Sequence, residues 1–306
     1  MLPIKLNTIK KDFPALELLD EAFDKMINKG KVKLNIFDCE TIYCFSDYAG
    51  ERASDRNHVF SFLYFDYNYS GIFKSEVDKL RVSEPHWNDN SFIEYKKIPS
   101  DRVRARLLPS FLNIADLIRG YLVVIFVDKR IDSVFHYNGK IKVSKDLYDA
   151  GLGKWAPHIV EKMLQVLMFN SYFLFQFIND GQKYFWYSDR DAINDEGGPR
   201  IDYVRKLFSR FKDMLNIKGD FLGYETNFEK KGYDNYFGDI MSIPDLVAGA
   251  TLEYFEEQKG VDYVKGTTDT ILRWFALPSS TLQKIHFKLS KEDNKFIFSN
   301  LRWYRK

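Results

Sequence analysis

Cysteine is nearly missing from this 306-residue chain. Cys39 and Cys44 are the only two, spaced neither as a CxxC redox pair nor as a zinc finger. A disulfide framework is thereby excluded, and so few thiols fit a reducing, cytoplasmic setting. The five histidines, His58, His86, His136, His158 and His286, lie far apart, so none offers the i, i+4 pair of a helical zinc site. An excess of one charge is also lacking. With 45 Lys and Arg against 43 Asp and Glu, the formal net charge is +2. No global cationic field therefore draws the chain to nucleic acid, although a local patch remains compatible with that balance. No hydrophobic run is long enough to span a bilayer. The most apolar one, Leu164 to Phe177, is interrupted by Gln165, Asn170 and Ser171 and reads as a buried helix, and the opening MLPIKLNTIKKDF has no apolar signal core. No membrane partner is expected. Phosphate-loop and nucleophile-elbow motifs are absent as well: Gly151-Leu152-Gly153-Lys154-Trp155 lacks the earlier glycine and the closing Ser or Thr of a Walker loop, and no GxGxxG or GxSxG occurs.

What is present is a large apolar and aromatic content, 45% and 17% of residues, enough for a substantial core. Pro14 to Lys29 carries Leu16, Leu19, Phe23, Met26 and Ile27 on one stripe, with Gly30 as its stop, and predicts a helix. Strands are expected at Thr41 to Ser46, His58 to Phe65 and Phe92 to Ile98, three in succession and hence antiparallel. Asp101 to Arg119 reads as a helix bent at Pro109, and Tyr121 to Val127 as a parallel central strand buried on both faces. A long helix over Trp155 to Ile178 follows. Then come a strand at Tyr184 to Ser188, a helix over Asp202 to Leu215, a weaker strand at Phe221 to Tyr224, and a helix opening near Ser242. Beyond Gly260 the pattern is a helix, Tyr263 to Phe275, and then a β-hairpin, Ile285 to Leu289 with Phe296 to Trp303, around Lys291-Glu292-Asp293-Asn294. No internal repeat or low-complexity linker appears. The expectation is an α/β fold with a mixed sheet and helices on both faces. Residues 1–40 would form an N-terminal helical extension, 41–258 the core, and 259–306 a C-terminal helix and hairpin.

The carboxylates carry the chemistry. Apolar segments end in aspartate at Asp47 (IYCFSD), Asp128 (VVIFVD) and Asp189 (YFWYSD), where parallel strands of an open α/β sheet deliver their ligand-binding residues. Aspartate is also an ordinary turn and cap residue, and Asp66, closing SFLYFD, should lie at the opposite edge. Asp245, in SIPDLVAG, stands among apolar and very small residues at an expected helix start. From the residues alone, a capping role and a shielded carboxylate needing a cation both remain open. If Asp47, Asp189 and Asp245 meet, their repulsion calls for a divalent ion, and a set without His or Cys suits Mg²⁺ or Mn²⁺. Arg102, Arg104 and Arg106 form no clean stripe, and Trp186, Tyr187 and Tyr48 fit either base stacking or core packing.

Taken in order, Ser46-Asp47-Tyr48-Ala49-Gly50, Glu94 in FIEYKKI, VVIFVDK, Ser188-Asp189-Arg190 and SIPDLVAG resemble the bacterial domain-of-unknown-function family DUF3800, over about Ile42 to Tyr254. The resemblance implies a ribonuclease-H-like fold, with Asp47, Glu94, Asp189 and Asp245 as catalytic and metal-binding residues, Mg²⁺ or Mn²⁺ as cofactor, and DNA or RNA as substrate and partner. It also implies a bacterial defence or mobile-element context. The sequence departs from the family's Asp-Glu-Ser-Gly at Tyr48 and Ala49, an acid returning only at Glu51, and Ser242 and Pro244 replace the usual Gln and Ala. Those departures favour an alternative, a catalytically impaired interaction or nucleic-acid-binding subunit that docks a protein partner through its terminal extensions. Asp191, Glu51 and Asp128 are rivals for ligand positions. Asp116, in a segment resembling the last motif, precedes the central strand and reads as an ordinary helix face.

Overall fold

The computed structural model describes residues 14–52, 54–87, 91–131, 133–134, 139–194, 200–226, 235–257, 265–292 and 295–300. The local patterns become one seven-stranded mixed sheet flanked by helices. Helix α1 (Pro14–Asn28) precedes β1 (Thr41–Ala49) and β2 (Asn57–Asp66), followed by α2 (Ser70–Ser83), a 3-10 turn (Tyr95–Ser100) and α3 (Arg102–Ala115). Then come β3 (Gly120–Asp128), α4 (Gly139–Asp149), α5 (Pro157–Phe177), β4 (Lys183–Ser188), α6 (Arg200–Leu215) and β5 (Asp220–Thr226). The chain continues through α7 (Asn235–Glu257), α8 (Lys265–Ala276), β6 (Leu282–Glu292) and β7 (Lys295–Asn300). The expected hairpin turn at Asp293-Asn294, the start of the helix at Tyr263 and the strand's end at Trp303 lie outside the described residues.

The strand order is β5-β4-β1-β2-β3-β6-β7. Strands β1, β2 and β3 are successively antiparallel, while β4 and β5 run parallel to β1. This is the expected mixed sheet, with three antiparallel strands followed by parallel ones. Strand β6 adds parallel to β3, and β7 returns antiparallel, so the C-terminal hairpin extends the same sheet.

Three expectations are corrected. Phe92 to Ile98 is not the third antiparallel strand; β3 holds that place beside β2, in register from Phe65↔Gly120 to Asn57↔Asp128. The segment instead docks on α7. Gly238 and Gly249 of that helix leave room for the rings of Phe92 and Tyr95, where an added Cβ would meet ring carbons at 2.1 Å and 2.3 Å. Apolar alternation cannot distinguish a strand from a segment whose aromatics seat in a helix groove. Second, the run read as a parallel central strand, β3, is interior, buried along its length and paired in parallel with β6 as expected, but its other neighbour, β2, is antiparallel. Third, α7 begins at Asn235 and not near Ser242, so Pro244 and Asp245 are inside the helix. Ser242 and Pro244 therefore sit in an already formed helix, where proline lacks one backbone donor. Helices α2 and α4 were not anticipated, although Phe73 and Val77 of α2 have helical spacing and are buried.

Alternation along the strands divides the core. On one face, Cys44, Phe62, Tyr121, Val123 and Ile285 pack with α1, α5 and α6; on the other, Phe45, Leu63, Val124 and Phe126 pack with α2, α3, α7 and α8. Phe23 of α1 is fully buried against Tyr172 and Phe173 of α5 and Phe287 of β6, so the apolar stripe of the N-terminal helix is consumed inside the molecule. Among the described residues no helix is long and apolar enough to cross a membrane.

Candidate functional site

Alternation at the end of β1 separates two sets of polar groups. Ser46 and Tyr48 point to the α5 face, where the Ser46 hydroxyl lies 2.7 Å from the Tyr48 hydroxyl and accepts from Trp186 Nε1 at 2.8 Å. Asp47, between them, points to the α7 face. Strands β1 and β4 pair in parallel through Ser46↔Ser188, and the Asp189 amide donates to Ser46 O at 2.9 Å, so Asp47 and Asp189 are side by side at adjacent strand ends. Asp245 comes down from the middle of α7 to lie beside the Asp47 carboxyl. The Tyr95 amide donates to Asp245 Oδ2 at 2.7 Å, which brings the preceding residue, Glu94, near the same centre.

All four sequence-predicted acids thus converge, Glu94 arriving from the start of a 3-10 turn and not from a strand. The segment that carries it is pinned. Trp87 Nε1 donates to Ser91 O at 2.8 Å, Arg104 Nε donates to Phe92 O at 2.6 Å, and the Tyr95 and Thr268 hydroxyls are 2.6 Å apart. Burial pushes the Asp47 carboxyl well above the usual carboxylate range, and the nearby charges of Asp245 and Asp189 push it further. Asp245 is pushed up to about 7, by burial first and then by Asp189 and Glu94. Two close carboxyls in a poorly hydrated place resist ionising together without a counter-charge, so Asp47 and Asp245 both favour the protonated form. Asp189 is exposed and Glu94 partly exposed, with Glu94 also paired to Lys97.

The rival acids have other partners. Lys162, nearly buried in α5, binds both Glu51 and Asp191 on the opposite face, its ammonium 5.3 Å over the Tyr48 ring. Burial pushes Asp191 up to about 6 despite Lys162. Glu51 ends below the ordinary range, burial opposing and Lys162 prevailing. A cavity of about 540 Å³ opens beside this group, reached by His58, Lys129 and His158. His58 is held neutral, down to about 3, by burial and then by Lys129 and Lys162. Asp128 accepts from Arg130 Nε at 2.8 Å, and Asp116 from Lys284 Nζ at 2.7 Å. Sequence reading missed Lys162, whose only signal was a cation within the apolar run of α5. The aromatics weighed for base stacking, Trp186, Tyr187 and Tyr48, are all buried, and Arg104 and Arg106 pair with Asp101 and Glu84.

The donor chemistry of the convergent set fits Mg²⁺ or Mn²⁺: oxygen-only ligands whose mutual repulsion a divalent charge would relieve. Among the described residues, no three His, Cys, Asp or Glu side chains already surround one point as metal ligands would. The fit is therefore one of chemistry and proximity.

No family model matches the chain, and no curated protein matches it. Among solved structures, the chain is similar to one described as the PCNA:RNase HII complex from Archaeoglobus fulgidus, at 11% identity and a TM-score of 0.35, over 79% of this chain and 94% of that one.

Proposed function

We propose that the protein is a divalent-metal-dependent nuclease that hydrolyses phosphodiester bonds of DNA or RNA, with Asp47, Glu94, Asp189 and Asp245 as its acidic set, as the DUF3800 resemblance implies. The observation that carries this reading is the contact between Asp47 and Asp245, with Asp189 and Glu94 close enough to raise the proton affinity of Asp245. Mg²⁺ or Mn²⁺, when bound, supplies a Lewis acid and an activated water. The chain's own residues do the rest. Asp47 and Asp245 would hold the ion as carboxylates, Asp189 would offer an exposed carboxylate beside them, and the Tyr95 amide fixes the orientation of Asp245 through Oδ2. Lys96, close enough to lower the proton affinity of Asp245, is placed to meet a phosphate.

The test is cleavage of labelled single- and double-stranded DNA and RNA with Mg²⁺ or Mn²⁺. Asp47→Asn and Asp245→Asn are each expected to lower cleavage by about 10²-fold or more, the scale on which removing one group that stabilises a transition state acts. Equal cleavage by the wild type and both variants would refute the reading. The alternative, a catalytically impaired interaction or nucleic-acid-binding subunit, is favoured by Tyr48 and Glu51, which turn away from the acidic set toward Lys162. It predicts nucleic-acid binding without cleavage at any metal concentration.

A further inference from the structure

A cavity of about 1140 Å³ opens at the other end of the sheet, where β3 and β6 begin side by side at Gly120 and Leu282. Among the described residues, five cations line it, Lys29, Lys31, Lys33, Arg119 and Lys284, and no carboxylate does. Two of these cations belong to the wall. Lys284 Nζ donates to Asp116 Oδ1 at 2.7 Å and to Trp274 O at 2.8 Å, and Arg119 donates to both oxygens of Asp38 at 2.9 Å and 3.0 Å. The other three, Lys29, Lys31 and Lys33, are exposed and have no ion-pair partner among the described residues.

The loop that bears them is built. Gly30 takes φ +68° to end α1, with the Gly30 amide bonding Ile27 O at 2.8 Å and the Lys31 amide bonding Met26 O at 3.0 Å. Lys33 is tied to β6 through its backbone: its amide donates to Gln283 Oε1 at 2.7 Å, and its carbonyl accepts from Gln283 Nε2 at 2.8 Å and from the Tyr121 hydroxyl at 2.8 Å. Like charges are therefore held at a fixed rim while their ammonium groups remain available. The floor is apolar, with Met26, Phe275 and Leu282 buried beneath it.

We propose that this cleft binds a nucleoside polyphosphate. Three uncompensated ammonium groups ask for an anion of more than one charge, and the apolar floor asks for a ligand with a flat, weakly hydrated body as well. The volume is slightly above the roughly 300 to 1,000 Å³ typical of small-molecule sites, so the ligand is at the large end of that class. The inference is independent of the acidic centre, which lies at the carboxyl ends of β1 and β4.

The experiment titrates the full-length chain with a fluorescent ATP analogue and then displaces it with ATP, adenosine, inorganic triphosphate or a short single-stranded oligonucleotide. ATP is expected to displace the analogue, with adenosine and triphosphate each at least about tenfold weaker, a difference of roughly 1.4 kcal/mol. The triple variant Lys29→Glu, Lys31→Glu, Lys33→Glu and, separately, Ala276→Trp, which fills the cleft from an exposed position without changing charge, should each weaken binding about tenfold or more. Asp47→Asn should leave it unchanged, which separates this test from that of the acidic centre. The proposal is overturned by absence of binding at millimolar analogue, by unaltered binding in both cleft variants, by triphosphate equal to ATP, or by an oligonucleotide that displaces the analogue better than ATP.

Discussion

The two sides of the β1 terminus hold the same kind of side chain in opposite electrostatic states. On the α5 face, Glu51 and Asp191 are gathered around the nearly buried ammonium of Lys162. On the α7 face, Asp47 and Asp245 meet each other, with Asp189 and Glu94 near and no buried cation between them. A buried carboxylate needs an opposite charge or a proton. The first group carries its counter-charge in the sequence; the second holds a proton in its place. The α7 face is accordingly the one where the proposed divalent cation would be held, and the α5 face is a structural support for Tyr48 and the turn that follows β4.

Removal of the internal cation is expected to have the largest effect. Lys162→Ala leaves two carboxyls without their partner and should destabilise the fold by about 3 to 5 kcal/mol in urea unfolding at pH 7. Adding Asp191→Asn should recover part of that loss, whereas Asp47→Asn alone should cost little. Comparable costs for Lys162→Ala and Asp47→Asn would break the contrast. Gly249→Ala comes next, because its methyl group would meet the Tyr95 ring at 2.3 Å. Overpacking there should cost about 1 to 3 kcal/mol and displace the amide that holds Asp245, lowering any metal-dependent cleavage while leaving the Lys162 group intact. The effect that is smallest at any single step is a slope with pH. Asp245 holds its proton up to about 7 in the folded chain and only to about 3.8 when unfolded. Between those values the folded state binds more protons, so metal-free stability falls as pH rises from about 4 to 7 and levels off above, by at most about 1.4 kcal/mol per pH unit. Thermal melts of Asp245→Asn should show a shallower decline than the wild type over that window. An identical decline would place the titration elsewhere.

Much of this was legible in the chain. The strand ends IYCFSD and YFWYSD are hydrophobic runs closed by acids, and a parallel pairing of the two is enough to set Asp47 beside Asp189. The stripe of α1 and the unbroken apolar run of β3 were equally plain, because burial on one or both faces leaves a periodic trace. The partner of β2 was not. Phe92 to Ile98 and Gly120 to Asp128 compete as strands on local pattern, and the decision lies in Gly238 and Gly249, residues whose missing side chains matter only once α7 is alongside. Nor did local pattern place Asp245, since a proline and a carboxylate in sequence look like a helix start whether or not two further turns precede them.

By itself, then, the amino-acid order determined the α/β class, the elements with strong periodicity and which acids stand at strand ends, because these depend on neighbours a few residues away. Only the tertiary structure decided which acids face one another and which face Lys162, because side-chain direction at β1 alternates with each residue and the partner groups come from α5, α7 and the 3-10 turn, more than a hundred residues away in several cases. Charge pairing acts over a few ångströms of space, and only folding converts distance along the chain into that proximity.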